Sequence, residues 1–156
     1  MNGFGEFPAR FRFTLWRHLL KIPENRAAYE TLIERGPHSA FQNFDLRYPI
    51  KSKRLTRAME RCLNCIAHWN GIFGEVSYIP VLVFPLVKLF QHSGIHAFEI
   101  VVSFLFNWCR DWFSFYPNPP VQILASIENV IAEADPRIEL HRVTYTYFGP
   151  VRLIVE

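Results

Sequence analysis

The sequence predicts an all-α domain, and three observations support this class. Apolar residues recur with helical spacing through most of the first 135 residues, and prolines and glycines separate the periodic segments. Half of the 156 residues are hydrophobic and 16% are aromatic, whereas only 20% are charged. These apolar residues are enough to form the core of about one domain, and the composition excludes a disordered chain.

The first two predicted helices are short. Thr14 is a candidate cap for a helix that runs through Leu20. Asn25 is placed to cap a second helix, and the Gly36-Pro37 pair is placed to end it. Residues 37–51 show no helical period, so they are predicted to form a loop.

Ser52 opens the strongest amphipathic helix of the sequence, which extends to about Trp69. Its predicted inner face consists of Leu55, Met59, Cys62, Leu63, Ile66 and Trp69. Its predicted outer face consists of Lys53, Arg54, Arg57, Glu60 and Arg61. This pattern is typical of a helix that packs one side against a core.

Three more helices are predicted over residues 79–91, 95–112 and 121–134. After Pro136 apolar and polar residues alternate, which predicts either a β-hairpin or a disordered tail. The predicted organisation is therefore an arm over residues 1–11, a helical domain over 12–135 and an atypical tail over 136–156.

Several function classes are disfavoured by the composition. The longest apolar run, residues 76–87, contains Pro80 and Pro85 and is shorter than the roughly 18 residues of a membrane span. No transmembrane segment and no secretory signal are predicted, and the free cysteines favour a cytoplasmic location. A net charge of +3 is too small to predict nucleic-acid binding.

One motif has metal-ligand character, Cys62-x-x-Cys65-x-x-His68. Structural zinc needs four ligands, whereas these residues lie inside a predicted helix without an evident second pair. Buried thiols are therefore the favoured interpretation, with no metal predicted. The Gly-rich phosphate-binding motifs are absent from the sequence, so no cofactor is predicted.

The outer face of the strongest helix is a candidate partner-binding surface. Its cations are Lys53, Arg54, Arg57 and Arg61. They would suit an acidic partner or an anionic membrane surface, and the alternative is a solvated helix face. The cations cluster in the N-terminal half of the helix, where the macrodipole disfavours positive charge, and this favours partner binding.

Four motifs occur in an order that is specific to one family. They are Arg12, Trp16, Leu19 and Leu20 in R-x-x-x-W-x-x-L-L, then Tyr48-Pro49, then Gly74, Val76, Leu82, Pro85 and Leu86, then Ala97-Phe98. Over residues 10–135 this order resembles the TBC domain, an all-helical GTPase-activating domain that acts on Rab-type small GTPases. The resemblance implies the N-terminal portion of an irregular helical TBC-type fold.

The same resemblance assigns the catalytic positions of the family. Its members supply an arginine finger and a glutamine that orients the attacking water. Such a finger increases the rate of GTP hydrolysis by about 10³- to 10⁵-fold. Leu46 stands at the arginine position and Ser77 at the glutamine position. The resemblance therefore implies a non-enzymatic pseudo-activator that binds a protein partner, with an active GTPase activator using the neighbouring Arg47 as the alternative.

Two stretches narrow the resemblance further. Residues 48–63 and the segment Tyr116 to Pro120 are similar to family members with WD repeats before this domain and a coiled coil after it. Similarity to these members implies that the chain acts as an adaptor at centriolar satellites during cilium assembly. Because the family continues with more helices after residue 135, we expect a truncated or alternatively spliced form, or a gene-model fragment. An unrelated, membrane-associated helical domain is a third interpretation.

Overall fold

The structure is a computed structural model that describes residues 11–118 and 120–134. Its helices are α1 (Arg12–Leu19), α2 (Arg26–Glu34), α3 (Phe44–Arg47), α4 (Lys53–Trp69), α5 (Ile72–Glu75), α6 (Ile79–Phe90), α7 (Gly94–Trp108), α8 (Arg110–Phe113) and α9 (Val121–Ala134), with a 3₁₀ turn at Ser39–Phe41. These ranges contain no strand, so the all-α prediction is confirmed for them. Residues 1–10 of the predicted arm over 1–11, and the tail over residues 136–156, lie outside the described residues.

The chain divides after Cys109 into two compact units. The first unit contains α1 to α7, and the second contains α8 and α9. Helix α9 exposes several apolar side chains, namely Val121, Leu124, Ile127 and Val130. None of the described helices is both long enough and apolar enough to cross a membrane.

The core of the first unit forms where α4, α6 and α7 pack against one another. Its fully buried side chains include Leu63, Ile66, Ile79, Val83, Val87, Ile100 and Val101. The predicted inner face of α4 is confirmed for Leu55 through Ile66. Trp69 is the exception, since 40% of its surface is exposed at the end of the helix.

Side-chain caps define the starts of two helices as the sequence predicts. Asn25 Oδ1 accepts a hydrogen bond of 3.1 Å from the Ala28 N–H, and Ser52 Oγ accepts one of 3.3 Å from the Leu55 N–H. Gly36 has a left-handed φ of +74° just after α2, which a glycine adopts without strain. The predicted stop of α2 is therefore confirmed.

Three local predictions are wrong. Thr14 is no cap, because α1 already begins at Arg12 and Thr14 lies inside the helix. Residues 37–51 are not wholly a loop, since the 3₁₀ turn and α3 are too short to show a period in the sequence. The helix predicted over 95–112 ends at Trp108, because Cys109 leaves the helical region with φ −112° and ψ 5°.

A buried carboxylate ties the start of α2 to α7. Glu99 Oε2 accepts a hydrogen bond of 3.0 Å from the Glu24 N–H, and Oε1 accepts one of 2.7 Å from the Asn25 N–H. The Glu24 carboxylate in turn pairs with Arg17 Nε at 2.9 Å and with His96 Nε2 at 2.6 Å. Glu24 itself has a left-handed φ of 52°, so these contacts hold an uncommon backbone conformation in place.

Candidate functional site

Polar residues of α4 hold the segment that precedes α3. Asn64 Oδ1 accepts a hydrogen bond of 2.8 Å from the His38 N–H, and His68 Nε2 donates one of 3.0 Å to the Gly36 carbonyl. The ring of His38 accepts a further hydrogen bond of 3.2 Å at Nδ1 from the Ala40 N–H. The 3₁₀ turn is therefore positioned by side chains that are distant in the sequence.

Gly74 permits the close approach of this turn to α5. A Cβ atom at position 74 would lie 2.9 Å from His38 Cε1 and 3.3 Å from Ala40 Cβ. The first distance is shorter than real Cβ contacts, so a larger residue at position 74 would displace the His38 ring. This glycine is also one of the residues on which the family resemblance depends.

A cleft of about 160 Å³ opens where the 3₁₀ turn, α3 and the segment from α5 to α6 meet. Its aromatic lining consists of Phe41, Phe44 and Tyr48. Its charged and hydroxyl-bearing lining includes Arg47, Glu75 and Ser77. We refer to it as the cleft. Its volume is below the roughly 300–1,000 Å³ of small-molecule sites, so a single side chain suits it better than a whole ligand.

The structure brings together two segments that the resemblance assigns to catalysis. Arg47 and Ser77 line the same cleft although they are thirty positions apart in the sequence. Leu46, which the resemblance assigns to the position of the finger arginine, is instead 78% exposed and is not part of the lining. Asn43 precedes α3 in a left-handed conformation with φ 58°.

The four cations of the candidate partner-binding surface lie on the exposed side of α4, and we call them the basic stripe: Lys53, Arg54, Arg57 and Arg61. At about 100° per residue, which follows from 3.6 residues per turn, they share an arc of roughly 100°. Within residues 11–118 and 120–134, none of them forms an ion pair with a carboxylate. Arg54 Nη2 donates a hydrogen bond of 2.7 Å to His92 Nδ1.

The residues of the Cys-x-x-Cys-x-x-His motif have structural roles. Cys62 and Cys65 are buried on α4 as free thiols, and His68 donates to the Gly36 carbonyl. Burial raises the pKa of Cys65 to about 11 and raises the pKa of Cys62 as well. Because the thiolate is the reactive form, these thiols are poor nucleophiles and poor metal ligands at neutral pH.

The amino-acid sequence of the chain is similar to that of known proteins. No family model and no solved structure matches the chain. Curated proteins named TBC1 domain family member 31 do match. The protein from Oryzias latipes is 49% identical over 92% of this chain, that from Xenopus tropicalis 45% over 93%, and that from Homo sapiens 46% over 90%.

The chain is therefore homologous, over one segment, to proteins named TBC1 domain family member 31, and the resemblance drawn from its motifs is confirmed. The chain spans about 13% of the length of each of these relatives. Their similarity therefore concerns one segment of a much longer protein.

The sequence did not reveal the aromatic wall of the cleft. Phe41 and Phe44 lie in the segment predicted as a loop, and α5 was also missed because four residues are too few to show a period. The one usable signal was the pair of phenylalanines three positions apart, a spacing that places side chains near each other on a helical turn.

Proposed function

We propose that the chain is a TBC-type protein-interaction domain that does not perform GTPase-activating chemistry and acts as a scaffold or adaptor. One observation carries this proposal. The position that the resemblance assigns to the arginine finger holds Leu46, whose exposed side chain has no N–H group to neutralise charge on a transferred phosphoryl group.

The second catalytic position supports the same conclusion. Ser77 lines the cleft, but its hydroxyl lies on a side chain much shorter than that of glutamine, so it does not reach an attacking water in the same place. The apolar core of α4, α6 and α7 is retained while both polar positions are changed. That combination favours a domain that keeps its binding surfaces without the chemistry.

The proposed partner is a protein, and we place the domain in the cytoplasm. A Rab-type small GTPase, bound without accelerated hydrolysis, is one candidate. Proteins of centriolar satellites and of the assembling cilium are the other, and the similarity of residues 48–63 to the adaptor members of the family supports them. The cleft and the basic stripe are the surfaces that we assign to binding.

A specific observation favours an alternative function. Arg47, one position beyond the expected finger, lines the cleft together with Ser77. A shifted loop would then present Arg47 to a bound GTPase and make the domain an active GTPase activator. This alternative predicts that activity depends on Arg47 alone among the nearby cations.

A GTP-hydrolysis assay separates the two functions. The full chain, Arg47→Ala and the exposed control Arg26→Ala are added to a panel of GTP-loaded Rab-type GTPases. We expect no acceleration with any of the three proteins. Acceleration by the unmodified chain that is lost in Arg47→Ala but kept in Arg26→Ala would overturn the scaffold proposal, because a finger arginine contributes about 10³-fold or more.

A gain-of-function variant makes a negative result informative. Leu46→Arg combined with Ser77→Gln restores both side chains that the family resemblance expects. If the domain still binds a GTPase, this double variant is expected to accelerate hydrolysis by that GTPase. Circular dichroism checks that the variant remains helical.

A further inference from the structure

Positive charge is concentrated in the segment that leads from the cleft into α4. Residues 47–61 contain six cations, including Arg47 and Lys51 besides the basic stripe, and one carboxylate, Glu60. Their net charge of +5 exceeds the +3 of the whole chain, so the remaining residues are slightly acidic. The excess positive charge is therefore a property of this surface and not of the protein as a whole.

The basic stripe is not neutralised within the described part of the chain. None of its four residues contacts a carboxylate, and Arg57 uses its Nε to donate a hydrogen bond of 3.3 Å to the Lys53 carbonyl. Lys53, Arg57 and Arg61 follow one another at intervals of four residues, a spacing at which like charges repel on a helix. The helix dipole adds to this electrostatic repulsion, because the stripe lies in the N-terminal half of α4, where the dipole disfavours positive charge.

The dimensions of the stripe define the size of a matching ligand. From Lys53 to Arg61 the helix rises about 12 Å at 1.5 Å per residue. An extended peptide of about four residues covers the same length at about 3.3 Å per residue. Arg54 uses one N–H for its contact with His92, and its guanidinium has further N–H donors for a carboxylate.

The cleft distinguishes a protein ligand from a lipid surface. It is concave, and Phe41, Phe44 and Tyr48 supply an aromatic lining beside Arg47. A protruding apolar side chain fits such a site, whereas a flat layer of lipid headgroups does not enter it.

We propose that the cleft and the basic stripe together bind an acidic segment of a protein partner, in which a run of Asp or Glu residues adjoins one apolar side chain. The acidic run lies along α4 and the apolar side chain enters the cleft. This inference rests on the proposed function in one respect, namely that partner binding is the role of the domain.

Fluorescence anisotropy tests the proposal with a labelled synthetic peptide of five glutamates followed by one phenylalanine. The stripe variant is Lys53→Glu with Arg57→Glu and Arg61→Glu. The matched control, Lys21→Glu with Arg26→Glu and Lys88→Glu, makes the same change of charge at exposed positions elsewhere. We expect the stripe variant to weaken binding by about tenfold or more and the control by about twofold or less.

Three further measurements test the contribution of the apolar side chain, a membrane ligand and the electrostatic part of binding. Replacing the peptide's phenylalanine by glycine is expected to weaken binding several-fold to the unmodified chain. Vesicles of phosphatidylcholine with roughly 30% phosphatidylserine are expected to bind more weakly than the peptide at equal salt. Raising the salt concentration should weaken peptide binding.

Equal losses in the two triple variants, no peptide binding, or stronger binding to the vesicles would each overturn the proposal. These outcomes are independent of the GTP-hydrolysis assay. Failed peptide binding without GTPase acceleration overturns only the acidic-ligand proposal, whereas acceleration that depends on Arg47 overturns only the scaffold function.

Discussion

The helical core and the wall of the cleft are stabilised in different ways. In the core, α4, α6 and α7 bury apolar side chains such as Leu63, Ile66 and Ile100 completely. Along the cleft, the 3₁₀ turn and α3 are only three and four residues long. The segment before the turn is held by a hydrogen bond that Asn64 accepts from His38 and one that His68 donates to Gly36. The cleft residues of the 3₁₀ turn and α3 therefore lie on short elements with less apolar burial than the core, where local opening costs less.

The largest expected effect lies in the core. Ile66→Ala removes a fully buried side chain between packed helices and is expected to lower the free energy of unfolding by about 2–5 kcal/mol. Urea unfolding followed by circular dichroism measures it. The control is Ile33→Ala, which truncates a side chain that is 40% exposed and should cost well under half as much. Equal costs would show that the core is not packed as described.

An intermediate effect is expected at the wall of the cleft. Asn64→Ala removes the acceptor of the His38 N–H and is expected to cost about 1 kcal/mol, because a part-buried donor loses its partner. Hydrogen exchange should speed up most at residues 38–41 and least in the middle of α4. Asn64→Asp keeps a side-chain oxygen and should retain most of the protection. Uniformly faster exchange throughout the unit would contradict the separation between wall and core.

The smallest effect, and one that depends on pH, is expected at the loop between α1 and α2. The hydrogen bond from His96 lowers the pKa of Glu24, with Arg17 adding to it against an opposing effect of burial. A carboxyl group with a depressed folded pKa stabilises the fold above its unfolded value, and that stability is lost as the pH falls through the folded pKa. The Glu24 contribution should therefore be present at pH 6 and disappear below about pH 4.5.

Thermal unfolding of the unmodified chain and of Glu24→Gln between pH 6 and pH 3 measures this contribution. The difference in Tm between the two proteins is expected to shrink as the solution is acidified. Glu34→Gln, which removes an exposed carboxylate at the end of α2, serves as the control. A difference that widens on acidification would contradict the assignment of the ion pair with His96.

The sequence predicted the elements whose determinants are local. The start of α4 at Ser52, its inner face and the stop of α2 at Gly36 all follow from caps, spacing and backbone preference. The wall of the cleft was not predictable in this way, since its contacts join His38 to Asn64 and Gly36 to His68 across 26 and 32 positions. Likewise, the resemblance assigned family positions to Leu46 and Ser77, but only the structure showed that Arg47 and Ser77 line one cleft.

The contact between Glu99 and the start of α2 has a consequence for biosynthesis. Its two hydrogen bonds join residues that are 75 and 74 positions apart. At about 5–20 residues per second, a ribosome needs about 4–15 s to synthesise the intervening chain. During that interval the N–H groups of Glu24 and Asn25 lack their acceptor. The start of α2 thus emerges early and gains this contact late, so these two N–H groups stay open to water or to a chaperone during that interval.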